Sequence, residues 1–299
     1  MSTFLLLTIT GLGLGAMYFL IASGLSLIYG LMGVLNFAHG AFISVGAYAT
    51  WWSELHVFSG VHSSALRFLL SGLLGLVAGG VFAALVELVL IRPLYNRHIE
   101  QVLVTVGLQL AFVALLVGIW GPDAKAFVVP AWLHDTTTIA GAHIPNDRWV
   151  EIAAAAVVLT SLQLFLRRTR YGLIIRAGVE NRAMVQALGI DVRKAFTLVF
   201  AIGGIAAAVA GVLSGVYFNV VGPDQGTSLL IFAFIVVVIG GLGSIGGSAA
   251  AAVLVALTQQ YTNYYASAGI GDMVVVLLLG LVLLARPRGL AGAVVGARA

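Results

Sequence analysis

Apolar runs of membrane-spanning or near-spanning length follow one another along this chain, with short polar segments between them. The runs lie at residues 4–29, 36–52, 68–91, 101–120, 149–166, 195–221, 228–239, 249–265 and 273–285. An α-helix needs about 20 predominantly apolar residues to cross a bilayer, and the second, seventh and ninth runs are among those that are shorter than that. The sequence therefore predicts an all-α integral membrane protein with eight or nine transmembrane segments, some of them broken or re-entrant.

The composition excludes a soluble domain. Only 9% of the 299 residues are charged and 61% are hydrophobic, whereas soluble domains carry about 25% charged residues. No polar linker is long enough to separate two units, so we predict a single transmembrane domain over residues 1–299. The chain has no cysteine, which excludes disulfides, thiol catalysis and thiolate metal sites.

The basic residues predict the orientation of the helices, because short loops rich in Arg and Lys stay on the cytoplasmic side of a membrane. Those that we place in the cytoplasm are Arg92, Arg97, Arg286, Arg288 and the basic residues of the segment 167–194. The loops 53–66 and 121–148 carry mixed charge and are predicted to be external. Counting the segments then places the N-terminus outside and the C-terminus in the cytoplasm. This placement accounts for the net charge of +4 without a nucleic-acid partner.

The segment 167–194 is the longest polar interruption of the chain. Its basic residues, seven of the chain's 15, are Arg167, Arg168, Arg170, Arg176, Arg182, Arg193 and Lys194. Met184, Val185 and Leu188 share one helical face there, and Gly189 follows as a C-terminal stop. This pattern predicts a short cytoplasmic helix through which a soluble partner moves the membrane helices. The alternative is a passive loop that fixes topology and touches anionic lipid, although topology does not require an apolar face.

Catalytic and nucleotide-binding motifs are incomplete. Residues 241–246 read G-L-G-S-I-G, but the acid expected about 20 residues after a dinucleotide-binding fingerprint is missing, so we interpret them as a turn between helices. Residues 269–272 read G-I-G-D without the Tyr-Asp partner of an intramembrane aspartyl protease. No H-E-x-x-H, G-x-S-x-G or Walker A motif occurs. The sequence therefore predicts no enzymatic activity and no metal or cofactor in this chain, and any ATP must be hydrolysed by a partner.

Polar residues within the apolar runs are candidates for a translocation pathway, since polar side chains at membrane depth are costly and tend to face a cavity or a partner. The candidates are Asn36, His39, Gln109 and Asn219. For Asn36 and His39, in the sequence N-F-A-H-G, the alternative is a structural turn with a helix cap and a backbone hydrogen bond. For the other two it is a helix–helix hydrogen bond worth about 1 kcal/mol. Glu87, five residues before Arg92, is expected to reach the cytoplasmic interface or to pair with a basic residue there.

Five further motifs occur in collinear order, nearly from end to end of the chain. They are G-A-M-Y-F-L-I-A-S-G-L-S-L-I-Y-G-L-M-G-V-L-N-F-A-H-G at 15–40, R-P-L at 92–94, R-Y-G-L-I-I-R-A-G-V-E-N-R-A-M-V-Q-A-L-G-I at 170–190, V-I-G-G-L-G-S-I-G-G at 238–247 and P-R-G-L at 287–290. At these motifs the chain resembles the permease subunits of the branched-chain amino acid ABC importer family.

The resemblance implies a heteromeric importer in a bacterial inner (plasma) membrane, surrounded by membrane lipid. Its other parts would be a second, homologous permease, two ATP-binding cassette subunits and an extracytoplasmic solute-binding protein. The residues that the resemblance assigns to the coupling helix are Glu180, Arg182, Met184, Leu188 and Gly189. The expected function is that of a permease subunit forming part of the pathway for branched-chain or related small amino acids.

Other substrates and one other class of function stay open. Members of the family commonly have an acid directly after N-F-A-H-G, where this chain has Ala41, and related systems carry urea, short amides and small organic acids. The different class is a stand-alone channel or facilitator for a small neutral solute such as urea or an amide. A channel would work without ATP and would give the predicted coupling helix no role.

Overall fold

The computed structural model describes residues 2–33, 35–95, 97–180, 184–185 and 192–291. Its helices are α1 Ser2–Met32, α2 His39–His56, α3 Ser64–Val86, α4 His98–Trp120, α5 Ala131–His134, α6 Asn146–Arg168, α7 Arg170–Glu180, α8 Val192–Phe218, α9 Gln225–Gly240, α10 Ile245–Tyr265 and α11 Ile270–Ala285. The predicted all-α class is confirmed, because helices build the bundle throughout the described ranges.

Four short strands form two antiparallel pairs within these ranges. β1 (Lys125–Ala126) pairs with β4 (Val220–Val221), and β2 (Thr136–Ile139) pairs with β3 (Ala142–Pro145). Three of these strands lie within the predicted external loop 121–148. The sequence did not predict them, since pairs of two to four residues leave no periodic pattern long enough to read.

Helices α1, α2 and α8 form the buried centre of the bundle. Small residues let their backbones touch: Gly24 of α1 lies against Gly203 of α8, and Gly46 of α2 lies against Ala208 of α8. Gly79 of α3 packs on the same Ala208. Close approach of backbones is a main source of helix association in lipid, where burying apolar side chains gains little. α8 is therefore the central helix of the bundle and contacts α1, α2 and α3.

Five helical stretches of the described part are long and apolar enough to cross a membrane. They are Ser2–Gly30, Ser64–Leu94, His98–Trp120, Asn146–Arg168 and Arg193–Phe218. The consecutive helices α9 and α10 are bent by 115° across a short break and can add a sixth crossing as one bent pair. The prediction of eight or nine segments is therefore not confirmed, and the bent pair agrees with the prediction of broken or re-entrant segments.

One end of the bundle, which we call the basic end, holds the predicted cytoplasmic segments. The residues that pack together there are Met32, Tyr95, Ala177, Val185 and Phe196. The opposite end carries the hairpin β2–β3, where Gly141 lies beside Ser2, the first residue of α1. The segments predicted to be cytoplasmic and the loop predicted to be external thus lie at opposite ends.

The glycine-rich motif at 241–246 forms the turn between α9 and α10, as interpreted from the sequence. Gly243 has a φ of +82°, a conformation that glycine adopts without steric cost. Gly30 of α1 faces this turn so closely that an added Cβ atom would lie 3.0 Å from Cα of Gly243. Ser244 caps α10, since its hydroxyl accepts a hydrogen bond from the backbone N–H of Gly247 at 3.1 Å.

Candidate functional site

Helix α4 is polar where it is buried and apolar where it is exposed. Its buried polar residues Gln101, Thr105 and Gln109 follow one another at intervals of four, which places them on one helical face. Leu103 and Leu110, on other faces, are each 65% exposed. A helix of this kind presents its apolar side chains to lipid and turns a polar stripe towards the interior of the protein.

Helix α2 presents a second stripe with the same spacing. Gly40, Ser44 and Tyr48 are all buried, and intervals of four again place them on one face. Gly40 faces Gln109 of α4, since a Cβ atom added to Gly40 would lie 2.9 Å from Oε1 of Gln109. The two stripes therefore meet near the N-terminus of α2.

Helix α9 begins at this meeting point and closes it. Gly226, in the first turn of α9, is in backbone contact with Gly40, and a Cβ atom added to it would clash with the carbonyl oxygen of Gly40 and the hydroxyl of Ser44. Nε2 of Gln109 donates a hydrogen bond to Oγ1 of Thr227 at 2.8 Å. We call the two stripes, together with this junction, the polar seam. Its residues are Gly40, Ser44, Tyr48, Gln101, Thr105, Gln109, Gly226 and Thr227.

Several buried polar atoms of the seam have no hydrogen-bond partner among the described residues. They are Oγ of Ser44, the hydroxyl of Tyr48 and Oε1 of both Gln101 and Gln109. Leaving such a group unpaired in a protein interior costs roughly 1–3 kcal/mol. The unpaired groups are spread along the two stripes, from Gln101 at one end of α4 to Tyr48 near Trp120 at the other, and they make the seam a candidate for polar contacts with a solute.

Asn36 and His39 lie beside the seam at the N-terminus of α2, next to Gly40. Oδ1 of Asn36 accepts a hydrogen bond from the backbone N–H of Ala38 at 3.0 Å, and Nε2 of His39 lies 3.0 Å from the carbonyl oxygen of Ile21, to which it donates. His39 thus makes the backbone hydrogen bond of the structural alternative, whereas Asn36 forms a local turn with Ala38 and does not cap α2, whose N-cap residue is Ala38. Within the described chain, Nδ2 of Asn36 and Nδ1 of His39 remain unpaired, so a pathway role stays compatible with the geometry.

Asn219 lies apart from this group. It follows the last residue of α8 in an exposed turn and has a φ of +59°, a left-handed conformation in which Asn is enriched. Its carbonyl oxygen accepts a hydrogen bond from the backbone N–H of Phe127 at 3.0 Å. The structure therefore brings together three of the four predicted pathway residues and places Asn219 in a turn beside the predicted external loop.

A largely apolar cavity adjoins the first two turns of α9 on another side of that helix. It has a volume of ≈ 360 Å³, and its lining includes Tyr18, Gln225, Ser228 and Phe232. The rings of Tyr18 and Phe232 stack there at 4.9 Å, and the Tyr18 hydroxyl donates to Oε1 of Gln259 at 2.7 Å. The beginning of α9 therefore lies between a polar seam and an apolar cavity.

Comparison with known proteins decides the class of this molecule. The family described as branched-chain amino acid transport system / permease component matches residues 7–285. The chain belongs to this family. The resemblance seen in the sequence motifs is thereby confirmed.

This permease has curated relatives that match it nearly from end to end. It is 30% identical to the high-affinity branched-chain amino acid transport system permease protein LivH of Salmonella typhimurium, over 94% of this chain and 93% of LivH. It is 31% identical to the corresponding protein BraD of Pseudomonas aeruginosa, over 95% of this chain and 94% of BraD. The permease protein LivM of Escherichia coli is 25% identical, over 91% of this chain and 69% of LivM. No solved structure matches the chain.

Family membership and the apolar helices together fix the general function and location. The chain is a transport permease and not an enzyme, as the incomplete catalytic motifs predicted. It is a multi-pass protein of the bacterial inner (plasma) membrane.

The structure describes part of the predicted coupling helix of this permease. Met184 is 61% exposed, whereas its neighbour Val185 is 4% exposed and packs against Phe196 of α8. The predicted coupling residues outside the described part are Arg182, Leu188 and Gly189, together with the side chain of Glu180, whose backbone ends α7. Val185 thus fastens this segment to the bundle, and Met184 lies at the surface of the basic end.

Sequence reasoning identified Gln109 but missed the seam residues Gln101, Thr105 and Ser44. A signal for them exists, because intervals of four along two apolar runs place Gln101, Thr105 and Gln109 on one face, and Gly40 and Ser44 on another. A polar residue taken alone does not carry this signal, which lies in the spacing between residues. The pairing expected for Glu87 is confirmed, since its Oε2 lies 3.3 Å from Nη2 of Arg92.

Proposed function

We propose that this chain is one of two homologous permeases in an ABC importer for branched-chain or related small amino acids. The observation that carries the proposal is the family match over residues 7–285, and relatives named as LivH and LivM both match the chain. The other partners are two ATP-binding cassette subunits, which hydrolyse the ATP, and an extracytoplasmic solute-binding protein. The chain itself requires no cofactor.

The importer and the stand-alone channel differ in composition and in energy supply. We would purify the chain gently from native membranes, identify its companions by mass spectrometry and assay leucine uptake in liposomes. A second permease, P-loop ATPases and uptake that requires ATP are the expected result. A chain that purifies alone and passes solute without ATP would instead support the channel.

The orientation in the membrane follows from the charge of the two ends. We place the N-terminus outside, the C-terminus in the cytoplasm and the basic end on the cytoplasmic side, because Arg-rich short segments stay there. The segment 167–194 is then within reach of the ATPase subunits. Closure of those subunits would push the coupling helix, and the membrane helices would switch between outward-facing and inward-facing access.

The polar seam is the part of this chain that we assign to the translocation pathway. It offers amides and hydroxyls but no charged side chain, which suits a solute of zero net charge such as a zwitterionic amino acid. Weak polar contacts at several positions allow a solute to enter and also to leave. In this structure the contact between Gly40 and Gly226 closes the seam, so transport requires α2 and α9 to separate.

Replacing Gln109 with leucine tests the pathway assignment. The variant keeps similar bulk but loses both the donor to Thr227 and the unpaired Oε1, so we expect leucine uptake to fall about ten-fold, equivalent to about 1.4 kcal/mol. The matched control is Leu110→Ala on the exposed face of the same helix, which should transport like the wild type. Uptake and substrate preference that Gln109→Leu leaves unchanged, with normal membrane abundance, would remove Gln109 from the pathway.

Replacing Met184 with aspartate tests the coupling helix. Met184 is 61% exposed at the basic end, so a carboxylate there should leave the fold intact but prevent docking of the ATPase subunits. We expect loss of ATP-driven uptake and of ATPase co-purification, with unchanged membrane insertion. Met184→Leu, which keeps an apolar side chain, should retain both. ATP-driven uptake at the wild-type rate in Met184→Asp would contradict the assignment.

A further inference from the structure

A buried carboxylate joins the end of α3 to the beginning of α8. Glu87 is fully buried and accepts a hydrogen bond from the hydroxyl of Thr197, with Oγ1 and Oε2 2.7 Å apart. Nη2 of Arg92 lies 3.3 Å from the same carboxylate oxygen and donates to Oγ1 of Thr197 at 2.7 Å. The hydroxyl of Tyr95 donates to the other oxygen, Oε1. We call these four residues the Glu87 cluster.

The backbone around Glu87 departs from a regular α-helix. Residues Glu87–Ile91 form a π-helical turn, and Arg92–Leu94 form a 3₁₀ turn directly after it. Single π turns within helices are rare and occur frequently at functional sites. The irregular turns carry the carboxylate, the guanidinium and the phenol to one place, where all three reach the second turn of α8.

The Glu87 cluster is in contact with the segment that we assign to ATPase coupling. The ring of Tyr95 packs edge-on against the ring of Phe196 at 5.5 Å and 89°. Phe196 in turn packs on Val185, the buried neighbour of Met184. A displacement of Val185 would therefore move Phe196 and Tyr95, and the hydrogen bond from the Tyr95 hydroxyl would pass the movement to Glu87.

The Glu87 cluster is also connected to the polar seam, because Thr197 belongs to α8 and α8 packs against α1 and α2. Gly203 of α8 touches Gly24 of α1, and an added Cβ at Gly24 would lie 2.8 Å from the ring of His39. Two turns further along α8, Gly211 is in contact with the carbonyl oxygen of Ile43 in α2. Tightly packed interfaces of this kind move as units rather than deform, so a shift of α8 displaces the helix that carries Gly40 and Ser44.

We infer that Glu87 is a positioning residue for energy coupling: its cluster transmits the movement of the coupling segment to α3 and α8, and through α8 to the polar seam. The inference rests on the proposed function, since it needs an ATPase that moves the segment 167–194. Glu87 contacts neither substrate nor ATP, and acts by fixing Arg92, Tyr95 and Thr197 relative to one another.

Thr197→Val tests this role, because valine keeps the shape of threonine and removes the hydroxyl that Glu87 and Arg92 share. The variant is assayed in the complete complex in liposomes, with leucine uptake and ATP hydrolysis measured together. We expect ATP hydrolysis to persist and the leucine transported per ATP to fall about five-fold or more, the usual scale of an allosteric coupling. Thr197→Ser, which retains the hydroxyl, should keep the wild-type ratio.

The ratio of leucine transported to ATP hydrolysed distinguishes a coupling role of the Glu87 cluster from a purely structural one. A parallel loss of ATP hydrolysis and uptake in Thr197→Val, or an unchanged ratio, would overturn the inference. If Thr197→Val fails to reach the membrane, Tyr95→Phe takes its place, since it removes the phenol donor and keeps the ring on Phe196. An unchanged ratio in that variant would overturn it equally. Wild-type uptake that needs no ATP would instead overturn the proposed function itself.

Discussion

Replacing Gly211 with alanine is expected to destabilise the folded protein by about 2–3 kcal/mol, the scale of overpacking in a well-packed interior. A Cβ atom at this position would clash with the carbonyl oxygen of Ile43 and would lie 3.1 Å from the backbone nitrogen of Ala47. Both are backbone atoms of α2, so no side-chain rotation can relieve the clash. The two helices would have to move apart, which also disturbs the seam residues on α2. Thermal unfolding in detergent micelles measures the effect.

Gly118→Ala is the matched control for this change. Gly118 lies within helix α4, and a Cβ atom added there meets no other described atom within 4 Å. Alanine has a higher helix propensity than glycine, so this variant should be unchanged or more stable by up to about 1 kcal/mol. Glycine-to-alanine substitution is therefore expected to lower the free energy of unfolding at position 211 and to leave it unchanged or raise it at position 118. Equal losses of stability in both variants would show that the glycine contacts between α2 and α8 do not hold the bundle together.

The features predicted correctly from the sequence are those that repeat or that concentrate one property locally. Apolar runs identified most of the helices, and the glycine-rich sequence 241–246 marked the turn between α9 and α10. The cluster of arginines within 167–194 distinguished the basic end of the bundle from the end that carries the loop 121–148. Each of these signals lies within a short stretch of chain, where helix propensity, charge and turn chemistry agree.

The number of crossings was harder to predict because it depends on packing between distant segments. The runs 228–239 and 249–265 were counted as separate segments, whereas the structure bends them by 115° as one pair. The run 36–52 forms α2, in which small and polar residues such as Gly40, Ser44 and Thr50 are buried at the centre of the bundle. Hydropathy alone does not distinguish a helix surrounded by other helices from one that faces lipid.

Contacts that join distant positions could not be predicted from one sequence. Glu87 and Thr197 are separated by 110 residues, and nothing near either residue indicates the other. The same holds for Arg148 of α6 and Tyr217 of α8, whose side chains meet with the guanidinium carbon 3.7 Å from the ring centroid. Both pairs involve α8, the helix that follows the coupling segment. One holds it near the basic end and the other at the opposite end.

The buried ion pair between Arg148 and Glu151 of α6, at the opposite end, yields the other prediction with a large effect. Glu151 is fully buried, and Nη1 of Arg148 lies 3.2 Å from both of its carboxylate oxygens. Replacing Glu151 with alanine removes the main partner of a guanidinium that is itself only 13% exposed. Breaking a buried ion pair costs about 3–5 kcal/mol. We expect the lower end of that range, about 3 kcal/mol, since Asp147 remains 3.7 Å from the same nitrogen.

An exposed pair with the same spacing provides the control for Glu151→Ala. Arg97, directly before α4, and Glu100 in its first turn also form an ion pair three residues apart, at 3.9 Å, but their side chains are 68% and 49% exposed. Water screens such a pair, so Glu100→Ala should cost less than about 1 kcal/mol. Unfolding of both variants in the same detergent compares the two costs directly. A large loss for Glu151→Ala alone would show that burial makes the Arg148–Glu151 pair of α6 structural. Equal, small losses would mean that Asp147 and Tyr217 compensate Arg148 sufficiently, and that Glu151 does not stabilise this end of α6.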